Sequence, residues 1–194
     1  VVHDNLYPIA HIVTAKYWHN VQPGKLHLTV SETGWGKAVW GKLYGQWFME
    51  AVIYVYDMDR FHADSLMEHI QRHRVTTFCA PPTIYRMLIQ EDLSKYDLSS
   101  IEYATTAGEA LNPEVFNKFY AATGLRLMEG FGQTETTLTI ATLRGMEPKP
   151  GSMGKPSPAY HIRIVDEDGN DVKRGVVGEI VLDTTKGKPM GMFM

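Results

Sequence analysis

The residues Glu129-Gly130-Phe131-Gly132-Gln133-Thr134-Glu135 put several chemically useful groups within one short stretch. Glycine at Gly130 and Gly132 lets a ligand approach the backbone, and Phe131 offers a flat face. Gln133 and Thr134 supply polar groups, and Glu135 supplies a hard oxygen of the kind magnesium prefers. About twenty residues earlier, Thr105-Thr106-Ala107-Gly108-Glu109-Ala110-Leu111 forms a second group of small and polar residues. Each segment also has a plain structural reading, the first as a glycine-bearing strand end and the second as a strand-to-helix turn.

The flanking pattern sets where these groups must lie. Short runs rich in β-branched and aromatic residues predict strands at Leu26 to Val30, Ala51 to Tyr56, Thr76 to Ala80, Ile101 to Thr106 and Leu125 to Met128. Helices are predicted between them, over residues 63–72 from the spacing of Ala63, Leu66, Met67 and Ile70, and over 81–90 behind Pro81 and Pro82. The clearest helix starts at Asn112, with Pro113 in its first turn, Val115, Phe116, Phe119 and Tyr120 as one apolar face, and Gly124 as its stop. Strands alternating with helices imply an α/β fold, a mostly parallel sheet covered on both faces. Ligands of such sheets bind beyond the carboxyl ends of strands, where the 129–135 segment is expected to leave the sheet. Past Pro148 the pattern changes to His161 to Val165, an Asp168-Gly169-Asn170 turn and Gly178 to Leu182, an antiparallel pair. Residues 1–148 therefore read as the α/β unit and 149–194 as the start of a β-rich subdomain.

Composition narrows the function. The 194 residues are 44% hydrophobic and 21% charged, enough for a self-supporting core. A net charge of −3 without a basic run argues against nucleic acid as a partner. Apolar stretches are too short for a membrane span and no signal core is evident, so a cytoplasmic protein is expected. Cys79 is the single cysteine, which excludes an internal disulfide and suits a reducing compartment. A chain starting at Val1 and stopping at Met194 reads as part of something longer. A homo-oligomer stays open.

The 129–135 segment resembles the signature of adenylate-forming enzymes, in the glutamine-threonine-glutamate form of medium-chain acyl-CoA synthetases, with Phe131 at the aromatic position. Thr105 to Leu111, Ala80 to Leu88 and Lys149 to Pro156 resemble other segments of that family in the same order, and Val1 to His3 resembles the tail of the segment after its phosphate loop. The resemblance implies an acid-thiol ligase that activates a short- or medium-chain carboxylic acid, branched or not, with ATP and magnesium, then transfers the acyl group to coenzyme A. Gly108, Glu109, Ala110 and Glu129 through Thr134, that is Glu129, Gly130, Phe131, Gly132, Gln133 and Thr134, would bind ATP and AMP, and Glu135 would hold magnesium. The phosphate loop is expected before Val1 and the domain with the catalytic lysine after Met194, so no complete catalytic set is expected within residues 1–194 and this stretch alone is expected to be inactive. An amino-acid adenylation enzyme, a luciferase relative and a nonenzymatic nucleotide-binding module of the same fold are the alternatives.

The resemblance also implies an acyl pocket near Ala107, Gly108, Gly132 and Thr134. Trp18, Lys37, Trp40 and Cys79 are expected to wall it and shorten it, since Lys37 and Trp40 lie three apart on one helical face. A carboxylate beside the ATP phosphates repels them, roughly 4 kcal/mol per pair of unit charges about 4 Å apart at an effective dielectric of 20, so cations must be supplied. Around 129–137 the sequence supplies acids and neutral polar groups but no cation. His3, His11, His19 and His27 recur every eight residues, which defines no common helical face, and His69 and His73 lack an evident third metal ligand.

Overall fold

In the computed structural model, which describes residues 1–194, the chain enters through Leu6–Val13 (α1), continued by a π turn over Thr14–Trp18. The sheet then builds as strands Leu26–Thr29 (β1), Val52–Ile53 (β2), Thr77–Ala80 (β3), Tyr103–Ala107 (β4) and Leu127–Gly132 (β5). Gly36–Lys42 (α2) and Tyr44–Phe48 (α3) connect β1 to β2, Ala63–His73 (α4) connects β2 to β3, Pro82–Leu88 (α5) connects β3 to β4, and Pro113–Thr123 (α6) connects β4 to β5. Leu138–Ala141 (β6) and Lys155–Pro156 (β7) complete a seven-stranded sheet in the order β2-β1-β3-β4-β5-β6-β7. The pairs from β2 to β5 are parallel and the last two are antiparallel.

The chain goes one way from β1 to β2 and returns past β1 to β3, so the β1/β3 boundary is a topological switch point, where open α/β sheets leave a crevice. Alternation along each strand sorts side chains onto two faces. Leu28, Phe78, Ala104 and Leu127 point to α4, α5 and α6 and join an apolar cluster with Leu66, Met67, Ile70, Tyr85, Phe116 and Phe119. His27, Thr29, Thr77, Cys79, Thr105 and Met128 point the other way, toward α1, its π turn and α2. Each fully buried large apolar side chain contributes about 1.5–3 kcal/mol, so the first face holds most of the stability.

Helix α6 forms for the reasons its sequence gives. Asn112 Oδ1 accepts the Glu114 N–H at 2.8 Å, Pro113 opens the helix, and Gly124 ends it at φ +71°, a conformation costly to other residues. Val115, Phe116 and Phe119 are buried as expected, but Tyr120 is 42% exposed: its ring stacks on Phe116 at the rim and faces Arg126 at 5.7 Å. Two strands differ in extent from their predicted runs. β2 pairs over only Val52–Ile53, being an edge strand whose chain then departs into a loop, and β5 runs through Gly132 instead of ending at Met128, because β6 pairs with it.

The Ile162–Val165 (β8) and Glu179–Leu182 (β9) pair forms a separate two-stranded antiparallel sheet. Asp166 holds its turn by accepting the N–H groups of Asp168 and Asn170, with Gly169 at φ +80°. Lys155 and Pro156 still pair with β6, so the first sheet extends past residue 149.

Candidate active site

The parallel register sets Ala107 opposite Gly130, so the two sequence segments leave neighbouring strands side by side. At Gly108 the backbone turns at φ +105°, and no atom lies within 4 Å of where a Cβ would stand. That open corner suits a ligand and excludes a side chain. Gly108, Glu109 and Ala110 are all exposed, and the Glu109 carboxylate accepts the Thr83 hydroxyl at 2.7 and 2.9 Å, with Arg86 3.9 Å away. Glu129, by contrast, is buried, and its Oε1 accepts the Leu111 N–H at 3.1 Å. This bond ties the two loops together. Burial pushes the Glu129 carboxyl above its ordinary range, against the pull of that hydrogen bond.

Farther along, Gln133 and Thr134 are exposed and Glu135 is half-buried. His3 Nε2 donates to the Thr134 carbonyl at 2.6 Å, and Thr134 Oγ1 would be 2.9 Å from a Cβ at Gly36, so this loop lies against the start of α2. The glycines of the signature also lie against the chain itself. A Cβ at Gly130 would stand 2.6 Å from Trp18 Cε2, and one at Gly132 would stand 2.5 Å from the Thr137 carbonyl oxygen at the bulge between β5 and β6. The approach at Gly130 leaves room for Trp18 against the sheet, and the one at Gly132 lets the bulge close.

On that face Trp18, Trp40, Cys79 and Ala107 meet in one cluster with Met128 and Leu138. Trp18 Nε1 donates to the Met128 carbonyl at 3.0 Å. Lys37 is buried and its Nζ donates to the Ala107 carbonyl at 2.9 Å, placing an amine beside the Gly108 corner. Burial lowers its pKa, while Cys79 and Glu109 pull in the opposite direction. The local charge balance therefore includes a lysine that the sequence around 129–137 did not supply.

The histidines are the main correction. His11, His19 and His27 are all fully buried on this same side, although their spacing fits no single helix face. His19 and His27 rings lie 4.8 Å apart, His19 lies 4.4 Å from Trp18, and His11 stacks on Trp40 at 5.6 Å. Thr29 Oγ1 donates to the Gly41 carbonyl, so it accepts from His27 Nε2 at 2.8 Å, and His27 Nδ1 accepts the Thr77 hydroxyl at 2.8 Å. Burial lowers the pKa of His11 to about 3 and of His27 to about 4, and drives His19 well down, so all three are neutral. His69 and His73 stack at 5.7 Å on α4, where His69 Nδ1 bonds the Tyr54 hydroxyl. No group of three or more histidine, cysteine or acidic side chains converges as a metal cage.

A cleft of about 700 Å³ opens at the carboxyl ends of β1, β3 and β4, with Ala107, Gly108, Glu109 and Lys37 on its inner wall. Its outer wall joins Lys42, at the end of α2, to Glu32, Asp57, Asp59 and Arg60, which come from loops that no periodicity marks. A smaller cleft of about 380 Å³, lined by Tyr103, Tyr120 and Met146, lies toward the opposite ends of β4 and β5, away from these loops.

A largely parallel sheet covered on both faces, with two glycine loops leaving adjacent strands, is the amino-terminal scaffold of the adenylate-forming enzymes. The AMP-binding enzyme family matches residues 1–187, and the chain belongs to that family. Human mitochondrial acyl-coenzyme A synthetase ACSM3 is 38% identical over 181 residues, covering 93% of this chain and 31% of that protein. Human mitochondrial ACSM4 is 39% identical over 185 residues, covering 95% and 32% respectively. The anthranilate CoA ligase AuaEII, solved in complex with anthranoyl-AMP, superposes with a TM-score of 0.83 at 27% identity, over 91% of this chain and 34% of that one. The chain thus spans about a third of the length of these relatives. No helix is long and apolar enough to cross a membrane.

Proposed function

We propose that the protein activates a short- or medium-chain carboxylic acid, branched or not, with ATP and passes the acyl group to coenzyme A. A carboxylate oxygen attacks the α-phosphorus, forming the new P–O bond as pyrophosphate leaves. The coenzyme A sulfur then attacks the acyl carbon, and AMP leaves with the bonding electrons. The observation that carries this reading is the Ala107–Gly130 register, which sets the open Gly108 corner beside Phe131 and Gly132. Membership of the AMP-binding family and the acyl-CoA synthetase names of its relatives support it.

In this reading Gly108, Glu109, Ala110 and the strand from Glu129 to Thr134 orient the adenylate, Glu129 mainly by fixing Leu111. Trp18, Lys37, Trp40, Cys79 and Ala107 enclose the acyl group. Most of the rate would come from position and charge, since no covalent enzyme intermediate is needed. Magnesium fits a site with one half-buried carboxylate, Glu135, because it keeps several waters and takes its other ligands from phosphate oxygens. When bound it would neutralise charge on the phosphates. The 700 Å³ cleft gives a thiol-bearing chain a route to the Gly108 corner from the β1 side. We also propose a cytoplasmic location; the single buried thiol suits any reducing compartment, and cell fractionation tests the cytoplasm against the mitochondria named for the relatives.

The decisive assay, run with the flanking segments expected before Val1 and after Met194 in place, is exchange of labelled pyrophosphate into ATP across a panel of carboxylic acids. We expect acid-dependent exchange that favours short and medium chains. Exchange with no acid in the panel would reject the reading.

A further inference from the structure

A buried lysine normally has an acid beside it, and Lys37 does not. It is 8% exposed, and the ion pairs of the molecule leave it out. Its Nζ donates to the Ala107 carbonyl at 2.9 Å. Burial lowers its pKa, although Cys79 and Glu109 pull the other way, so more of the amine keeps a free electron pair than on an exposed lysine.

Position gives that electron pair a target. Lys37, Ala107 and Gly108 line the same 700 Å³ cleft. From Ala107 the chain turns into the Gly108 corner, where no atom stands within 4 Å of a Cβ position. The amine therefore borders the space proposed for the activated carboxyl. Lys42 is the contrast within the cleft: burial lowers its pKa too, but it lies on the outer wall, where its Nζ donates to the Ser31 carbonyl at 2.8 Å.

Resting on the adenylate reading above, we propose that Lys37 is a site of self-acylation, its Nζ attacking the acyl carbon of the adenylate when coenzyme A does not take it first. The new N–C bond forms as the bond from the acyl carbon to the phosphate oxygen breaks. AMP leaves with the bonding electrons, and the amine proton passes to water in the cleft. The amide stays beside Trp18, Trp40 and Cys79, where the acyl group already lay, and shuts out the next acid. Thiol and amine compete for one carbon, so the site closes itself when coenzyme A is scarce. An electrophile held beside a nucleophile needs no bimolecular encounter, which favours Lys37 over exposed lysines despite its burial.

The test uses the protein with its flanking segments in place and the acids that support pyrophosphate exchange. It is incubated with ATP, magnesium and each acid in the absence of coenzyme A, and acylated lysines are located by peptide mass spectrometry. We expect Lys37 to carry roughly tenfold or more the acyl occupancy of Lys42 or of exposed Lys16, with a matching loss of activity in a later assay. Coenzyme A present from the start should suppress both effects. Lys37→Arg keeps a cation and a donor but no competent nucleophile, so preincubation should no longer erode its activity. Pyrophosphate exchange with Lys37 unmodified, or modified no more than Lys42, would overturn the inference and leave the adenylate reading intact. Exchange with no acid would overturn both.

Discussion

The two faces of the sheet are built on opposite principles. Under α4, α5 and α6 the strands present Leu28, Phe78, Ala104 and Leu127 to an unbroken apolar cluster. Under α1 and α2 the same strands present His27, Thr29, Thr77, Cys79 and Thr105, and the helices return His11, His19 and Lys37. The first face needs only shape and volume. The second buries polar groups whose cost is offset only where each finds a partner, so it is less stabilising and more specific. Trp18, Lys37 and Trp40, the proposed acyl residues, all belong to the second face. If the proposed acyl site holds, stability and recognition are divided between two sides of one sheet.

Three measurements can break or sharpen that division. The largest effect is expected from Phe119→Ala, which empties a site on the apolar face packed against Tyr85 at 4.9 Å between ring centres. Urea unfolding should show a loss of about 3–5 kcal/mol. A loss under about 1 kcal/mol would mean that face is not the main source of stability.

Next comes acid. His27 has its pKa lowered from 6.5 to about 4 in the fold, so between those values the unfolded chain binds a proton that the folded chain refuses. Stability is therefore complete above about pH 6.5 and falls as pH drops toward 4, by roughly 3 kcal/mol for this histidine alone at about 1.4 kcal/mol per pH unit. His11, lowered to about 3, adds to the loss in the same direction. A His27→Gln variant should flatten the dependence of the urea midpoint on pH, whereas Phe119→Ala should lower the midpoint at every pH without changing its slope.

The smallest effect is expected at Lys37→Met. The substitution removes the donor to the Ala107 carbonyl but also relieves a desolvated amine, leaving a net loss of about 1 kcal/mol. A much larger loss would assign Lys37 to holding the fold together.

Chain order alone was enough for the alternation of strands and helices, the capped α6 helix and the pairing of β8 with β9, because each rests on residues within a few positions of one another. It also indicated two loops of similar chemistry following successive strands, and β4 and β5 do prove to be neighbours. Only the tertiary structure decided what the polar residues meet. His19 reaches Thr105, 86 positions away, and Trp18 reaches the Met128 carbonyl, 110 positions away, through a strand order that departs from chain order at β1 and β2. Gly130 looked like an opening for a ligand until Trp18 was found lying on it. Local periodicity reports which face a residue turns inward, and the crossover connections determine who waits there.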